Sequence, residues 1–339
     1  MFLSFEEIRG LSTGWLSWQE DGEGLILSRF TKEQLCFYDN NPATPKASAR
    51  QRHSASVTLD FYTDSEYITL TADGSRLPEV GNYGKFDFLE NGILVHHADC
   101  DETEDPEAPR RDAFPTTEMT VSLSPGENRV TVYLPWGTQT RIRSLELSEG
   151  AAFRPYRHAK TLLAFGDSIT HGSRAVFPSM TYISQLARLL DARVVNHGIG
   201  GERFRKEKLA PGTYPPCDLV TVALGTNDYG VWQDWDEFCL NMSEFLRIAA
   251  AEFAGIPVFV ILPIWREEET QPRAIGTLPR VRERIRQEAE KYPGLTVVDG
   301  LELVPHLPDF FADSPALHPN DLGFSQYAMN LYRIIRDKI

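Results

Sequence analysis

The sequence predicts two architectures in one chain: an all-β sandwich over residues 1–158, then a parallel β-sheet with helices on both faces over residues 159–339. Three observations carry this. Apolar and polar residues alternate with period two in the first part, as in strands buried on one face. Turn-forming dipeptides punctuate those strands. In the second part, short uncharged apolar runs alternate with helix-length stretches, the pattern of a parallel sheet covered on both sides.

The first alternating strand is "SVTLDFYTDS", where Val57, Leu59 and Phe61 share one face and Thr58 and Asp60 the other. The pattern recurs in "YITLTADG", in "NRVTVYLPWG" and around Leu145 and Leu147. Asp73-Gly74, Asn91-Gly92 and Ser124-Pro125-Gly126 read as turns between such strands. The acidic, proline-bearing segment 99–115 reads as a long surface loop. Many short strands so punctuated form a sandwich. From 159 onward, buried strands are predicted at 161–165, 193–197, 218–224, 257–262 and 296–299. Helices are predicted at 180–191, 235–253 and 280–292, with a last one from about Asp321.

The 339 residues carry a formal charge of −14, with 42% hydrophobic and 24% charged side chains. That balance excludes a polyanionic partner, whether nucleic acid or an acidic membrane. The four cysteines, Cys36, Cys100, Cys217 and Cys239, have neither CxxC nor metal-ligand spacing and read as reduced thiols. "MFLSFEEIRG" lacks the basic start of a signal peptide, and no apolar run reaches the roughly 20 residues that span a bilayer, so a cytoplasmic location is expected. His96 and His97 are adjacent in a predicted strand and point to opposite faces, so they do not suggest a metal site. No cofactor is expected.

In a parallel sheet with helices on both faces, ligands bind where strands reach their carboxyl edge. There the sequence offers Ser168 in "FGDSITHG", the glycines of "NHGIGGERF", Asn227 in "LGTND" and His318 in "LHPNDLG". Each alone has a bland reading: a helix N-cap, a tight turn, a turn asparagine, a loop histidine. Found together, in order and each at a predicted strand end, these stretches resemble the SGNH (GDSL-type) hydrolase superfamily over residues 160–339. The resemblance implies a flavodoxin-like, three-layer α/β/α fold and hydrolysis of an ester through an acyl-enzyme. It also implies Ser168 as nucleophile and His318 as general base. The oxyanion hole would be made by the Ser168 and Gly201 amides and the Asn227 side chain.

Two positions depart from that family's pattern. The aspartate expected three residues before the histidine is replaced by Pro315, and Asp313 lies five before it. Either the intervening loop bulges and Asp313 reaches the imidazole, which is the favoured reading, or a backbone carbonyl orients the ring. Asp321 reads as a helix cap, with Asn320 as the other candidate. His171, three residues after the serine, reads as a pocket wall or surface residue. A jelly-roll-like sandwich ahead of such a unit is similar to the arrangement in some bacterial carbohydrate esterases. That similarity implies a small-molecule substrate carrying a short acyl group, with acetyl on a sugar as the leading candidate. Trp232 and Trp265, with Trp235, are candidates for stacking on a sugar face, although tryptophans filling gaps between domains explain them equally well. A thioesterase, a short-chain lipase-like esterase and a non-catalytic carbohydrate-binding protein are the alternatives. The sequence does not fix the oligomeric state.

Overall fold

The computed structural model describes residues 1–41, 47–76, 84–100 and 113–339. Its C-terminal half is a five-stranded parallel sheet: β1 (Lys160–Gly166), β2 (Ala192–Gly198), β3 (Leu219–Ala223), β4 (Val258–Ile261) and β5 (Leu295–Val298). The spatial order is β2-β1-β3-β4-β5, the flavodoxin-like order, which leaves β1 flanked by β2 and β3. Residues of β1 alternate between two cores. Leu162 and Ala164 pack with α2 (Tyr182–Leu190) and α6 (Asp321–Ile335). Leu163 and Phe165 pack with α4 (Trp235–Glu252) and α5 (Leu278–Ala289). The run is uncharged because both its faces are covered.

Three of these four long helices begin where a side chain supplies a partner for the free N–H groups, while α5 starts at Leu278-Pro279 without one. The side chains of Thr181, Asp234 and Asn320 cap α2, α4 and α6. Asn320 is the cap of the last helix. Asp321 instead accepts from the Val176 amide at 2.9 Å, so it ties a neighbouring loop to the helix start. The apolar face of α6, Phe324, Tyr327, Ala328, Leu331 and Ile335, follows helical spacing and is buried.

The N-terminal half is a sandwich of two antiparallel sheets. One has strands in the order Ser12–Thr13, Thr58–Thr63, Asn128–Tyr133, Lys85–Glu90, Ile93–Asp99, with Phe153–Pro155 also pairing with Thr58–Thr63. The other runs Ser17–Glu20, Leu25–Ser28, Thr138–Leu147, Tyr67–Arg76, Ala113–Ser122. Leu59, Phe61, Val130 and Val132 meet Ile68, Leu70, Leu145 and Leu147 between the sheets. Asn91 and Gly92 both have positive φ and close the expected hairpin.

Three sequence readings change here. Asp73-Gly74 is no turn: it lies inside the strand Tyr67–Arg76 at a register shift. A Cβ on Gly74 would come within 2.4 Å of the Phe114 ring, so the glycine serves close packing rather than reversal. Of the expected loop 99–115, residues 101–112 lie outside the described residues, while 113–115 open a strand. Thr58 and Asp60, on the polar face of Thr58–Thr63, are buried. Asp60 is 4% exposed and holds Arg129 through both carboxylate oxygens, because this face packs towards the α/β half. A cavity of about 420 Å³ lies there, lined by Asp60, Arg129, Arg188 and Asp191. It sits at the amino edge of the parallel sheet, away from the strand ends.

Candidate active site

Strand β1 ends at Gly166, and the chain turns at once into the single-turn helix α1 (Ser168–His171). A Cβ on Gly166 would lie 2.0 Å from Thr170 Oγ1, so only glycine lets the helix fold back this tightly. Asp167 caps the turn by accepting from the Ile169 amide at 2.9 Å. Burial pushes its carboxyl up to about 6. Ser168 is half-buried at the sheet's carboxyl edge, and its Oγ lies 2.8 Å from His318 Nε2.

The far nitrogen of that imidazole, Nδ1, meets Asp313 Oδ2, and the His318 amide donates to the same oxygen at 3.2 Å. The five-residue spacing works because the loop is closed at its neck. Ala312 N–H donates to His318 O at 2.9 Å, and Phe311 pairs with Pro319. Glu267 pins the loop's tip through Ala316, accepting from its amide at 2.9 Å and donating to its carbonyl at 3.1 Å. Asp313 therefore sits across the neck from His318. Arg174 Nε binds its other oxygen at 2.9 Å. Burial alone would raise the Asp313 carboxyl, but the hydrogen bond and charge of His318, with Arg174, hold it below the usual carboxylate range. An ionised acceptor keeps the proton on Nδ1, which leaves Nε2 free to accept from the Ser168 hydroxyl.

The glycine turn follows β2, and Asn227 opens α3 (Thr226–Val231) after β3. These are the two neighbours of β1, and Asn227 Nδ2 donates to Glu202 O at 2.9 Å, joining the loops directly. Ile199–Glu202 is a β-turn with Gly201 at φ +85° and the Glu202 amide on Ile199 O at 3.0 Å. All but one of the amides from Gly198 to Phe204 are taken. Gly198 donates to Asn196 Oδ1, Ile199 to Gly166 O, Gly200 to His171 Nδ1 and Arg203 to Glu202 Oε1. Phe204 donates to Asp228. Among the described residues, the Gly201 amide alone in this run has no protein acceptor, and the Ser168 amide has none either.

Several supports were not legible in the sequence. His171 is neither pocket wall nor surface: it is 2% exposed and accepts from Gly200 through Nδ1 at 3.3 Å. Burial, then the nearby Arg29, drives its pKa far down, so it stays a neutral acceptor. Arg29 is fully buried and donates to four carbonyls, those of His53, Arg50, Asn196 and Gly198. Although burial lowers its pKa to about 9, it stays charged at neutral pH. Glu202 is buried against Arg205 at 2.9 Å and Lys208 at 3.9 Å. Burial opposes its ionisation, but those two cations outweigh burial and hold its pKa below the usual value.

The tryptophans are less open than a sugar platform requires. Trp232 is 8% exposed, its Nε1 donates to Asp228 Oδ1 at 2.9 Å, and Arg203 lies over its ring. Trp235 packs on Phe238 beneath Arg280. Trp265 is half-buried, stacked on His306 and edge-on to Phe311, so it stands by the His318 loop. His96 and His97 diverge: His97 binds Asp87 at 2.7 Å while His96 lies against Phe88.

Asp228 carries a measurable consequence. It receives the Phe204 amide and the Trp232 indole, and burial raises its carboxyl to about 7. A pKa raised on folding favours the folded state at low pH, and the gain is lost as pH rises from about 4 to about 7. Asp228→Asn keeps an acceptor for both donors but cannot ionise. Its melting temperature relative to wild type is therefore expected to rise between those pH values and level off above. Asp228→Ala strands two buried donors and should cost roughly 1–3 kcal/mol for each. A melting difference independent of pH would contradict the assignment.

Comparison with known proteins follows the same lines. Residues 164–325 match the GDSL-like Lipase/Acylhydrolase family. Among solved structures, the salicylyl-acyltransferase SsfX3 from a tetracycline biosynthetic pathway is 21% identical. Its TM-score is 0.77, and the match covers 96% of this chain and 94% of that one. A GDSL-like lipase candidate from Bacteroides ovatus ATCC 8483 is 18% identical, with TM-score 0.73 and coverage of 99% and 97%. The acetyl xylan esterase Est2A from the rumen bacterium Butyrivibrio proteoclasticus is 12% identical, with TM-score 0.61 and coverage of 100% and 98%. No curated protein matches the chain. Among the described residues, no helix is long and apolar enough to cross a membrane.

Proposed function

We propose that the protein, whose residues 164–325 match the GDSL-like Lipase/Acylhydrolase family, is an ester hydrolase of that type that removes short acyl groups, acetyl foremost, from a carbohydrate through an acyl-enzyme on Ser168. The observation that carries the mechanism is the 2.8 Å approach of Ser168 Oγ to His318 Nε2, with Asp313 on the other ring nitrogen. His318 takes the serine proton as Oγ attacks the acyl carbonyl. The resulting oxyanion is met by the Ser168 and Gly201 amides and by the Asn227 N–H not given to Glu202. His318 then protonates the departing alcohol, and water repeats the sequence on the acyl-enzyme.

The sugar is supported by Trp265 beside the His318 loop and by the two-part fold shared with the acetyl xylan esterase. Turnover should fall steeply from acetyl to octanoyl along a series of p-nitrophenyl esters, and acetate should be released from acetylated sugars. Faster turnover of octanoyl esters, or preference for acyl thioesters, would replace this reading with a lipase-like enzyme or a thioesterase.

Asn227→Ala tests the oxyanion assignment. Its amide gains most once charge has formed, so kcat is expected to fall by about 10²–10³ with a smaller change in KM. An unchanged kcat would remove Asn227 from the hole.

A further inference from the structure

We propose that the N-terminal region completes the catalytic site through Arg50, a positioning residue that orients and polarises the Gly200–Gly201 peptide, while Arg29 fixes the frame that holds it. The inference rests on Gly201 as an oxyanion donor. Arg50 ends the short helix Ala47–Arg50, and its Nη1 donates to Gly200 O at 2.7 Å. That carbonyl belongs to the same peptide unit as the Gly201 N–H. In a trans peptide the C=O and N–H point to opposite sides, so a cation that holds the oxygen aims the N–H away from itself. It also withdraws electron density through the amide and makes that N–H a stronger donor.

The turn needs such a hold. In the β-turn Ile199–Glu202 the central peptide is Gly200–Gly201, and turn types I and II differ chiefly by a flip of that peptide. Gly201 at φ +85° selects the type II orientation. With glycine at both central positions neither orientation is barred by a side chain. A flip would reverse the Gly201 N–H and empty the hole of one donor while the fold survived. His171 holds the Gly200 amide and Arg29 holds the Asn196 and Gly198 carbonyls, so the peptides leading into the turn are fixed. Arg50 fixes the one peptide on which the donor depends. A Cβ on Gly200 would lie 3.1 Å from Arg50 Nη1, so the glycine also admits the guanidinium.

Arg50 is half-buried, unlike Arg29, and its replacement leaves the larger frame in place. The test compares the full-length wild type with Arg50→Met, which keeps the stem without the cation, and Arg50→Lys, which returns a donor. kcat and KM are measured on p-nitrophenyl acetate, the rate of Ser168 labelling is measured with a fluorophosphonate, and melting is followed in parallel. Arg50→Met is expected to lower kcat about 10–10²-fold with KM within about two-fold. Labelling should slow in parallel, because phosphonylation also builds charge on oxygen, and Arg50→Lys should recover several-fold of the loss. If the wild type is labelled at Ser168 yet Arg50→Met keeps its kcat and labelling rate, the positioning role is overturned and the esterase reading stands. A fall in kcat that tracks a fall in melting temperature, with no recovery in Arg50→Lys, overturns it equally. A wild type labelled elsewhere than Ser168 overturns both.

Discussion

Ser168→Ala is expected to lower kcat on the order of 10⁴-fold or more, with the melting temperature almost unchanged. Among the described residues Ser168 Oγ has one hydrogen-bond partner, His318 Nε2, whose side chain is 18% exposed and can turn to water when the hydroxyl is gone. The change removes one atom from a half-buried position and opens no apolar cavity, so the usual sources of large destabilisation are missing. In the proposed mechanism, what it removes is the atom that forms the acyl bond. The remaining hole and base can still assist direct attack by water, which sets the residual rate. A fluorophosphonate should label the wild type at Ser168 and leave the variant unlabelled. Full activity in the variant, or labelling of another serine, would end the mechanism.

The parts of this molecule that were legible in its sequence are those governed by local pattern. Leu162–Phe165 could be read as a doubly covered strand because a charge on either face would be buried without a partner. Ser168 and Asn227 stood out because each follows such a strand, where a parallel sheet exposes its ends, and His318 because it stands just before the last helix. What escaped depends on contacts between distant segments. Arg29 makes its bonds to Asn196 and Gly198 from more than 160 positions away, and nothing in its neighbours signals a buried cation held by carbonyls. His171 was misplaced for the same reason: its partner is the Gly200 amide, not its own helix. Asp60 could be placed only on the face opposite Leu59, because period two reports which face a side chain takes, not what covers that face. Asp313 was readable as the favoured of two alternatives, but the reason its spacing works was not, since it is the backbone pairing of Ala312 with His318 that brings the carboxylate back to the ring.

Asp313→Asn is expected to reduce kcat by about 10³–10⁴ with little loss of stability. The size of the effect follows from how the carboxylate is held. Arg174 Nε donates to Oδ1, while Oδ2 faces both the His318 amide and Nδ1. In the variant the charged guanidinium of Arg174, which can only donate, draws the amide oxygen at the expense of the longer 3.2 Å bond from the His318 amide. The NH₂ then faces Nδ1, and the imidazole avoids a donor–donor clash by moving its proton to Nε2. A protonated Nε2 cannot accept from the Ser168 hydroxyl, so the base is lost although every atom is close to its original place. The pH dependence gives a second check. A carboxyl whose folded pKa is depressed lends its stabilisation above the unfolded value of 3.8, and loses it as pH falls through the lower folded value. Asp313 therefore stays ionised from about pH 5 upward, so its own titration adds no pH dependence to the deficit of Asp313→Asn there. Releasing the amide provides the decisive comparison. Arg174→Ala alone should cost only a few-fold, because Arg174 is 45% exposed and its charge is screened. In the Asp313→Asn background the same change frees the amide to turn its oxygen towards His318, so the double variant is expected to exceed the single Asp313→Asn variant in kcat. If Asp313→Asn retains near-full activity, a Ser168–His318 dyad suffices and the carboxylate is no part of the machinery.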